Sequence, residues 1–462
     1  EPPEVTAYTS AGESAGPSGQ VDRERAIAAD WWTLFASPSL NGVMDQALAG
    51  NRTLAAARSS LDQAGELVRE ARGGFYPRVD VTANAQRQKT NGSRTAGINS
   101  AASSGSSPFN LYSLGPTFSF APDVFGLARR QVEQQQALAE NQGYQLAAAW
   151  LTLTGNVVLQ AVNIASANLQ LEALDDVIVR DSDNLALVQR RYAAGKVARS
   201  DVLTAESQLA SDRTLLPPVR QEQSVARHAL TLLAGQFPSD WSPPDFALAD
   251  FRLPADLPVG LPSELVRRRP DILAAEAQLH AASAAVGVAV AGMYPSLTLS
   301  GSTGLAATSS AALFRGSSRV WELAAGLTAP LFAGGALEAR KDAAVAAFEA
   351  SLATYQQTVF AAFGQVADTL QALQNDGALL AAQQAAVGAA GAARDIQRIT
   401  YTAGKSDLLG LLAAERAYQQ ARLGYARVRA QHLQDTAQLL VAVGGGWWNS
   451  ALPGHAVADP AR

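Results

Sequence analysis

The chain of 462 residues contains no cysteine, only two methionines and four histidines. Without thiols there are no disulfides, no thiol catalysis and no thiolate-ligated zinc or iron–sulfur site. His228, His280, His432 and His455 are scattered, without a metal-binding spacing such as H-E-x-x-H. The scarcity of methionine argues mildly against a dedicated copper or silver exporter. Charge is sparse as well: 17% of residues are charged and the net charge is -5, so no global basic field exists to attract nucleic acid. No uncharged run of strongly apolar residues reaches 18, so no transmembrane helix is expected. Glu1 opens neither a basic n-region nor an apolar h-region, so any signal peptide is expected to have been removed already. Phosphate-binding and dinucleotide-binding glycine motifs are missing. Gly12-Glu13-Ser14-Ala15-Gly16 matches a nucleophile elbow by letters, but its flanks, Tyr8-Thr9-Ser10 and Pro17-Ser18-Gly19, supply neither the strand nor the helix that the elbow needs. No enzyme is expected.

What is present is alanine, about a fifth of the chain, which favours long helices in close approach. Proline is distributed unevenly. None falls between Pro122 and Pro217 or between Pro330 and Pro453, and such stretches predict helices of coiled-coil length. Between them, Pro238, Pro243, Pro244, Pro254, Pro258 and Pro262 mark a connector or small side domain. Pro217-Pro218 predicts a kink or break in the helix that precedes it.

The two halves also repeat each other. Tyr192-Ala193-Ala194-Gly195-Lys196 recurs as Tyr401-Thr402-Ala403-Gly404-Lys405, and Leu203, Ala205 and Glu206 recur as Leu412, Ala414 and Glu415, all at an offset of 209. Tyr76-Pro77 recurs as Tyr294-Pro295, and the Ala-Pro pair at 121–122 recurs at 329–330. The length difference falls in Thr90–Ser93 and Ser103–Ser107, which have loop composition. Each half carries two segments of alternating character, the mark of half-buried strands. Val79, Val81, Phe118, Phe120, Leu297 and Leu299 alternate with Asp80, Thr82, Ser119 and Thr298.

Two free-standing hairpins in a soluble protein are the plain alternative. Four short strands cannot close on themselves, however, whereas four from each of three copies give a twelve-stranded barrel, apolar outside and polar inside. Tyr76, Phe109, Tyr112, Phe125, Tyr294, Phe314, Trp321 and Phe332 would form its interfacial girdles. Gly195 and Gly404 would take the left-handed turn ending a helix, with Lys196 and Lys405 complementing its negative end. Asp175-Asp176 and Asp181-Ser182-Asp183 are read as a solvated helix face.

The sequence resembles the TolC-like outer-membrane efflux channels, in the branch of lipoprotein channels serving RND-type pumps. The resemblance spans about 30–450 and rests on Trp31-Trp32-x-x-Phe35-x-x-Pro38-x-Leu40, Arg268-Arg269-Pro270-Asp271-Ile272-x-x-Ala275-Glu276, the two Tyr-x-x-Gly turns and Gly444-Gly445-Gly446-Trp447. It implies an α+β membrane protein: a homotrimer with a twelve-stranded barrel, a periplasmic α-helical barrel and a small equatorial domain. The chain then divides into an extended or disordered segment 1–30, a first repeat 31–235, a Pro-rich equatorial connector 236–262, a second repeat 263–443 and a Gly-rich tail 444–462. The first repeat would hold a helix, a hairpin about 75–121, a long helix about 125–192, a tip turn 193–199 and a return helix. The second would hold a helix, a hairpin about 293–331, a long helix about 333–401, a tip turn 402–406 and a return helix.

By the same resemblance the protein lies in the outer membrane of a Gram-negative bacterium, among its lipids, and conducts drugs or other small molecules passively. Its partners would be a periplasmic adaptor and an inner-membrane RND-type transporter. A type I protein-secretion channel and, in another class, a periplasmic coiled-coil adaptor or scaffold are the alternatives. The adaptor would dock at the tips, Gly195, Lys196, Gly404 and Lys405. The gate would be Asp201, Asp407, Leu408, Leu409 and Leu412. Gly410 and Ala413 stand where the family has acids, so closure is expected to rest on Leu409 and Leu412, read as sharing one helix face. Many relatives begin with an acylated cysteine. This chain begins Glu1-Pro2-Pro3-Glu4, so either that cysteine has been cut or replaced or this member is not lipidated, and no cofactor other than such an N-terminal lipid is expected.

Overall fold

The computed structural model describes residues 20–22, 27–89, 108–253, 256–258 and 262–449. The loops Thr90–Ser93 and Ser103–Ser107, the Gly12–Gly16 match and His455 lie outside the described residues. The chain forms two compact units: Asp62–Ala139 with Ala277–Ala353, and Glu1–Leu61 with Glu140–Glu276 and Thr354–Arg462.

The strands are β1 (Gln20–Asp22), β2 (Arg78–Gln88), β3 (Phe109–Phe120), β4 (Asp256–Pro258), β5 (Ser296–Ala307) and β6 (Arg319–Thr328). The helices are α1 (Pro38–Gly50), α2 (Arg52–Gly73), α3 (Leu127–Ala193), α4 (Arg199–Arg213), α5 (Leu216–Leu233), α6 (Pro262–Arg268), α7 (Pro270–Ala291), α8 (Ala336–Thr402) and α9 (Leu408–Ala442). β1 pairs in parallel with β4, so part of the segment read as extended or disordered is a strand held by the connector.

Helix starts follow the local chemistry. Pro38 opens α1 behind Ser37, whose hydroxyl accepts the Leu40 N–H at 3.4 Å. Asp123 accepts the N–H groups of Ala128 at 3.0 Å and Arg129 at 3.1 Å before α3. α3 and α8 each have 67 residues, which at 1.5 Å per residue makes each about 100 Å long. The proline pair acts as expected: α4 stops at Arg213, and α5 begins at Leu216 with prolines in its first turn. Its counterpart α9 runs unbroken for 35 residues. Two 18-residue stretches, in α3 and α7, reach mean hydropathies of 1.2 and 1.3, and neither is an unbroken run of strongly apolar residues. Alanine and polar residues are interspersed in both helices, and most of the α3 stretch is buried inside the protein.

The main core gathers motifs that are far apart in sequence. Trp31, Phe35, Leu40, Trp150, Phe246, Ile272, Leu440 and Trp447 are buried together, each contributing on the order of 1.5–3 kcal/mol by leaving water. The Trp447 indole donates to the Arg268 carbonyl at 2.7 Å, and Asn449 donates to Ile27 at 2.9 Å. Arg269 holds Asp271 at 2.6 Å and the Ala442 carbonyl at 2.9 Å. The Arg-Arg-Pro-Asp sequence is thus a helix start clamped to the end of α9.

Candidate functional site

The four long strands form one antiparallel sheet in the order β2-β3-β5-β6. Val79 lies opposite Phe118, which lies opposite Gly301, itself opposite Leu323. Opposed residues share a face, so the register sorts every side chain. One face carries Val79, Val81, Ala83 and Ala85; Tyr112, Leu114, Pro116, Phe118 and Phe120; Leu297, Leu299 and Leu305; and Trp321, Leu323 and Leu327. All six positions expected to face lipid are on it. The other face carries Asp80, Thr82, Asn84, Gln86, Thr117, Ser119, Thr298, Ser300, Ser302 and Glu322, including every position expected to face the lumen. The apolar face is left open to solvent: Val81 is 74% and Leu327 71% exposed. Gly301 has no room for a side chain because the Phe118 ring and Leu323 lie over it.

The aromatic residues divide between the sheet's ends. Tyr76, Phe125, Tyr294 and Phe332 flank the strand termini joined to helices, with Phe125 and Tyr294 stacked at 5.2 Å. Phe109, Tyr112, Phe314 and Trp321 belong to the loop end. Phe109 falls on the polar face by register, so it does not join an external girdle.

Both tip turns are Schellman motifs. Gly195 (φ +70°) and Gly404 (φ +74°) are left-handed. The Lys196 N–H reaches the Arg191 carbonyl at 2.9 Å, and the Lys405 N–H reaches the Thr400 carbonyl at 2.8 Å. Both lysines are exposed. The following helices divide one capping box between them. Asp201, at the third position of α4, reaches back to the Ala198 N–H at 3.2 Å; Asp407 caps α9 by accepting the Gly410 N–H at 2.9 Å. Each half keeps the acid that the other lacks.

The leucines expected at the gate do not behave as one set. Leu408, Leu411 and Leu412 are buried with Val188, Ala205 and Tyr401, where α3, α4, α8 and α9 meet. Leu409 is 67% exposed and Leu412 only 7%. The shared face expected for Leu409 and Leu412 is therefore corrected. The buried stripe follows 408, 411, 412, 415 and 419, and position 409 falls outside it. The Arg191 guanidinium lies 4.6 Å from the Tyr401 ring centroid and ties α3 to α8 beside this cluster.

Sequence reasoning missed a buried polar layer. Asp181 is 3% exposed rather than part of a solvated face, near Asp212 and Glu415, with Gln208 donating to Asp212 at 2.7 Å, all buried. Burial, then the neighbouring Asp212 carboxyl and the charge of Glu415, push Asp181 up to about 8. Burial also raises Glu415, against the opposing pull of Arg394, Arg180 and Arg398. A second pair, Asp376 and Asp435, lies between α8 and α9; burial and the neighbouring acid raise Asp376. Burial lowers His432 nearby. The only signal in sequence was an acid on the buried period of a helix. Among the described residues, no group of three or more His, Asp or Glu is placed to hold a metal ion.

A sheet apolar on one face and polar on the other, joined to paired long helices, defines an outer-membrane channel rather than a catalyst. The chain belongs to the outer membrane efflux protein family, whose model matches residues 43–236 and 261–445. Pyoverdine export outer membrane protein OpmQ of Pseudomonas aeruginosa is 33% identical over 427 residues, covering 90% of this chain and 87% of that protein. Toluene efflux pump outer membrane protein TtgI of Pseudomonas putida is 30% identical over 426 residues, covering 89% and 86%. The solved outer-membrane channel OprN matches with a TM-score of 0.86 at 29% identity, covering 97% of this chain and 98% of that one. The protein is thus a non-enzymatic outer-membrane channel of Gram-negative efflux pumps.

Proposed function

We propose that three copies assemble into the exit duct of a tripartite pump, β6 of each pairing with β2 of the next to close a twelve-stranded barrel. The observation carrying this reading is the sheet itself, which combines an exposed apolar face, a polar face and edge strands of 11 and 10 residues. Such edges and such a face are stable together in lipid only when the barrel closes. The lumen would be lined mainly by uncharged hydroxyl and amide groups, suiting passive passage of varied small molecules; the pyoverdine and toluene pumps of the relatives fall in that range.

Energy would come from an inner-membrane RND-type transporter through a periplasmic adaptor docking at Gly195, Lys196, Gly404 and Lys405. Asp201, Asp407 and Leu409 would narrow the resting mouth, while Leu408 and Leu412 hold the hairpins together from within. The absence of cysteine from these 462 residues gives a clean test. Cysteine pairs stepped along β2 and β6, oxidised in intact outer membranes, should yield covalent dimers and trimers at one register. Monomers at every register would overturn the closure.

A further inference from the structure

On the apolar face of the sheet, the register leaves just two charged residues among the described strands, Arg87 on β2 and Arg319 on β6. Both are cations. The sheet's acids, Asp80 and Glu322, are on the other face. Arg87 lies opposite Asn110 and Arg319 opposite Leu305, both near the loop end of the strands. Lys89 follows β2 and Arg315 precedes β6, and all four cations are exposed. None of the four forms an ion pair with a described residue.

Phe314 and Trp321, each 76% exposed, flank Arg315 and Arg319. Exposed aromatics beside arginine, at the limit of an apolar band, mark the level where hydrocarbon gives way to headgroups. A lipid-facing arginine is tolerated far better there than at the midplane of the bilayer. The cations occur on the two edge strands and not on β3 or β5. Closure of the barrel would therefore bring Arg87 and Lys89 of one copy beside Arg315 and Arg319 of the next.

Resting on the closed-barrel reading above, we infer that each seam between copies binds the phosphates of the outer leaflet's phosphorylated glycolipid, lipid A, through Arg87, Lys89, Arg315 and Arg319. The acyl chains would lie along the apolar face below Trp321. Guanidinium groups suit this ligand because their planar fork takes a phosphate through two parallel hydrogen bonds. A site assembled from two edges also makes the lipid a clasp across the joint between copies.

The test is native mass spectrometry of the full-length protein in detergent, titrated with diphosphorylated lipid A or with the same lipid after phosphatase treatment. The native trimer should bind the phosphorylated form at least about tenfold more tightly, the equivalent of about one charge-assisted contact. R87Q/K89Q/R315Q/R319Q should lose that discrimination. The half-site variants R87Q/K89Q and R315Q/R319Q should each lose part of it, which keeps the test available if the fourfold variant does not assemble. R78Q, a cation at the other end of β2 paired with Asp80 at 2.8 Å, should behave as native. Equal affinity of native trimers for both lipids, or full discrimination in the fourfold variant or in both half-site variants, overturns the inference while the trimer mass upholds the barrel. Monomers alone overturn both.

Discussion

Replacing Asp181 by asparagine should stabilise the helical region at alkaline pH and flatten its response to pH. In the native chain the Asp181 carboxyl is held from its ordinary value of 3.8 up to about 8 by burial first and by Asp212 and Glu415 second. An acid with a raised folded pKa holds more protons folded than unfolded, so stability is full below about pH 3.8. It falls as pH rises and reaches its floor above about pH 8. A tenfold change in a group's acidity is worth about 1.4 kcal/mol, so the whole excursion is on the order of 5 kcal/mol. Between pH 5 and pH 8 the loss is roughly 4 kcal/mol, or on the order of 5 °C in Tm for a chain of this size. Asparagine preserves the shape without the charge. Circular dichroism melts of the purified protein at pH 5, 6.5 and 8 should show a falling Tm for the native chain and a much shallower fall for Asp181→Asn. A native Tm that is flat over this range, or equal slopes for both proteins, would refute the assignment of a buried proton.

Four further expectations follow from the sheet and the tips. Val81→Arg should cost on the order of 2–4 kcal/mol in the bilayer and lower heat-resistant trimer yield, whereas Thr82→Arg, on the polar face, should leave that yield intact. Gly404→Val meets a φ of +74° at a cost of about 1–2 kcal/mol, so drug resistance should fall while membrane insertion is kept; unchanged resistance at normal expression would exclude the tip from docking. In planar bilayers Leu409→Ser should raise resting conductance more than Asp201→Ala, with the reverse ranking pointing to closure by charge. Leu412→Ser, which leaves a hydroxyl in an apolar cluster, should instead lower the melting temperature.

The strands and the tip turns were legible in the sequence because each rests on a short-range rule. Period two set the faces of Val79, Val81, Phe118, Phe120, Leu297 and Leu299, and only glycine takes the left-handed turn at 195 and 404 without strain. What escaped prediction depends on which side of a long helix meets another helix. Leu409 and Leu412 look equivalent in a run of four leucines broken by Gly410, yet one is exposed and the other buried. Asp181 sits among Asp175, Asp176 and Asp183 and shares their chemistry, but Asp176 pairs with Arg422 at 2.6 Å at a partly exposed position, while Asp181 turns inward. With four helices converging, the buried stripe is fixed by partners more than 200 residues away, beyond the reach of local pattern.

The unequal return helices make the two halves mechanically different. Unbroken α9, about 50 Å long at 1.5 Å per residue, acts as a strut: a push at its Asp407 end arrives at Ala442, and so at Arg269, with little lost on the way. The path through α4 and α5 has a joint at Thr214–Leu215, where the same push would meet a point of bending. Force applied equally to both tips would therefore travel along the second half of each copy and be damped in the first, so the near-symmetry of the duplicated sequence does not carry over into how the chain yields under load.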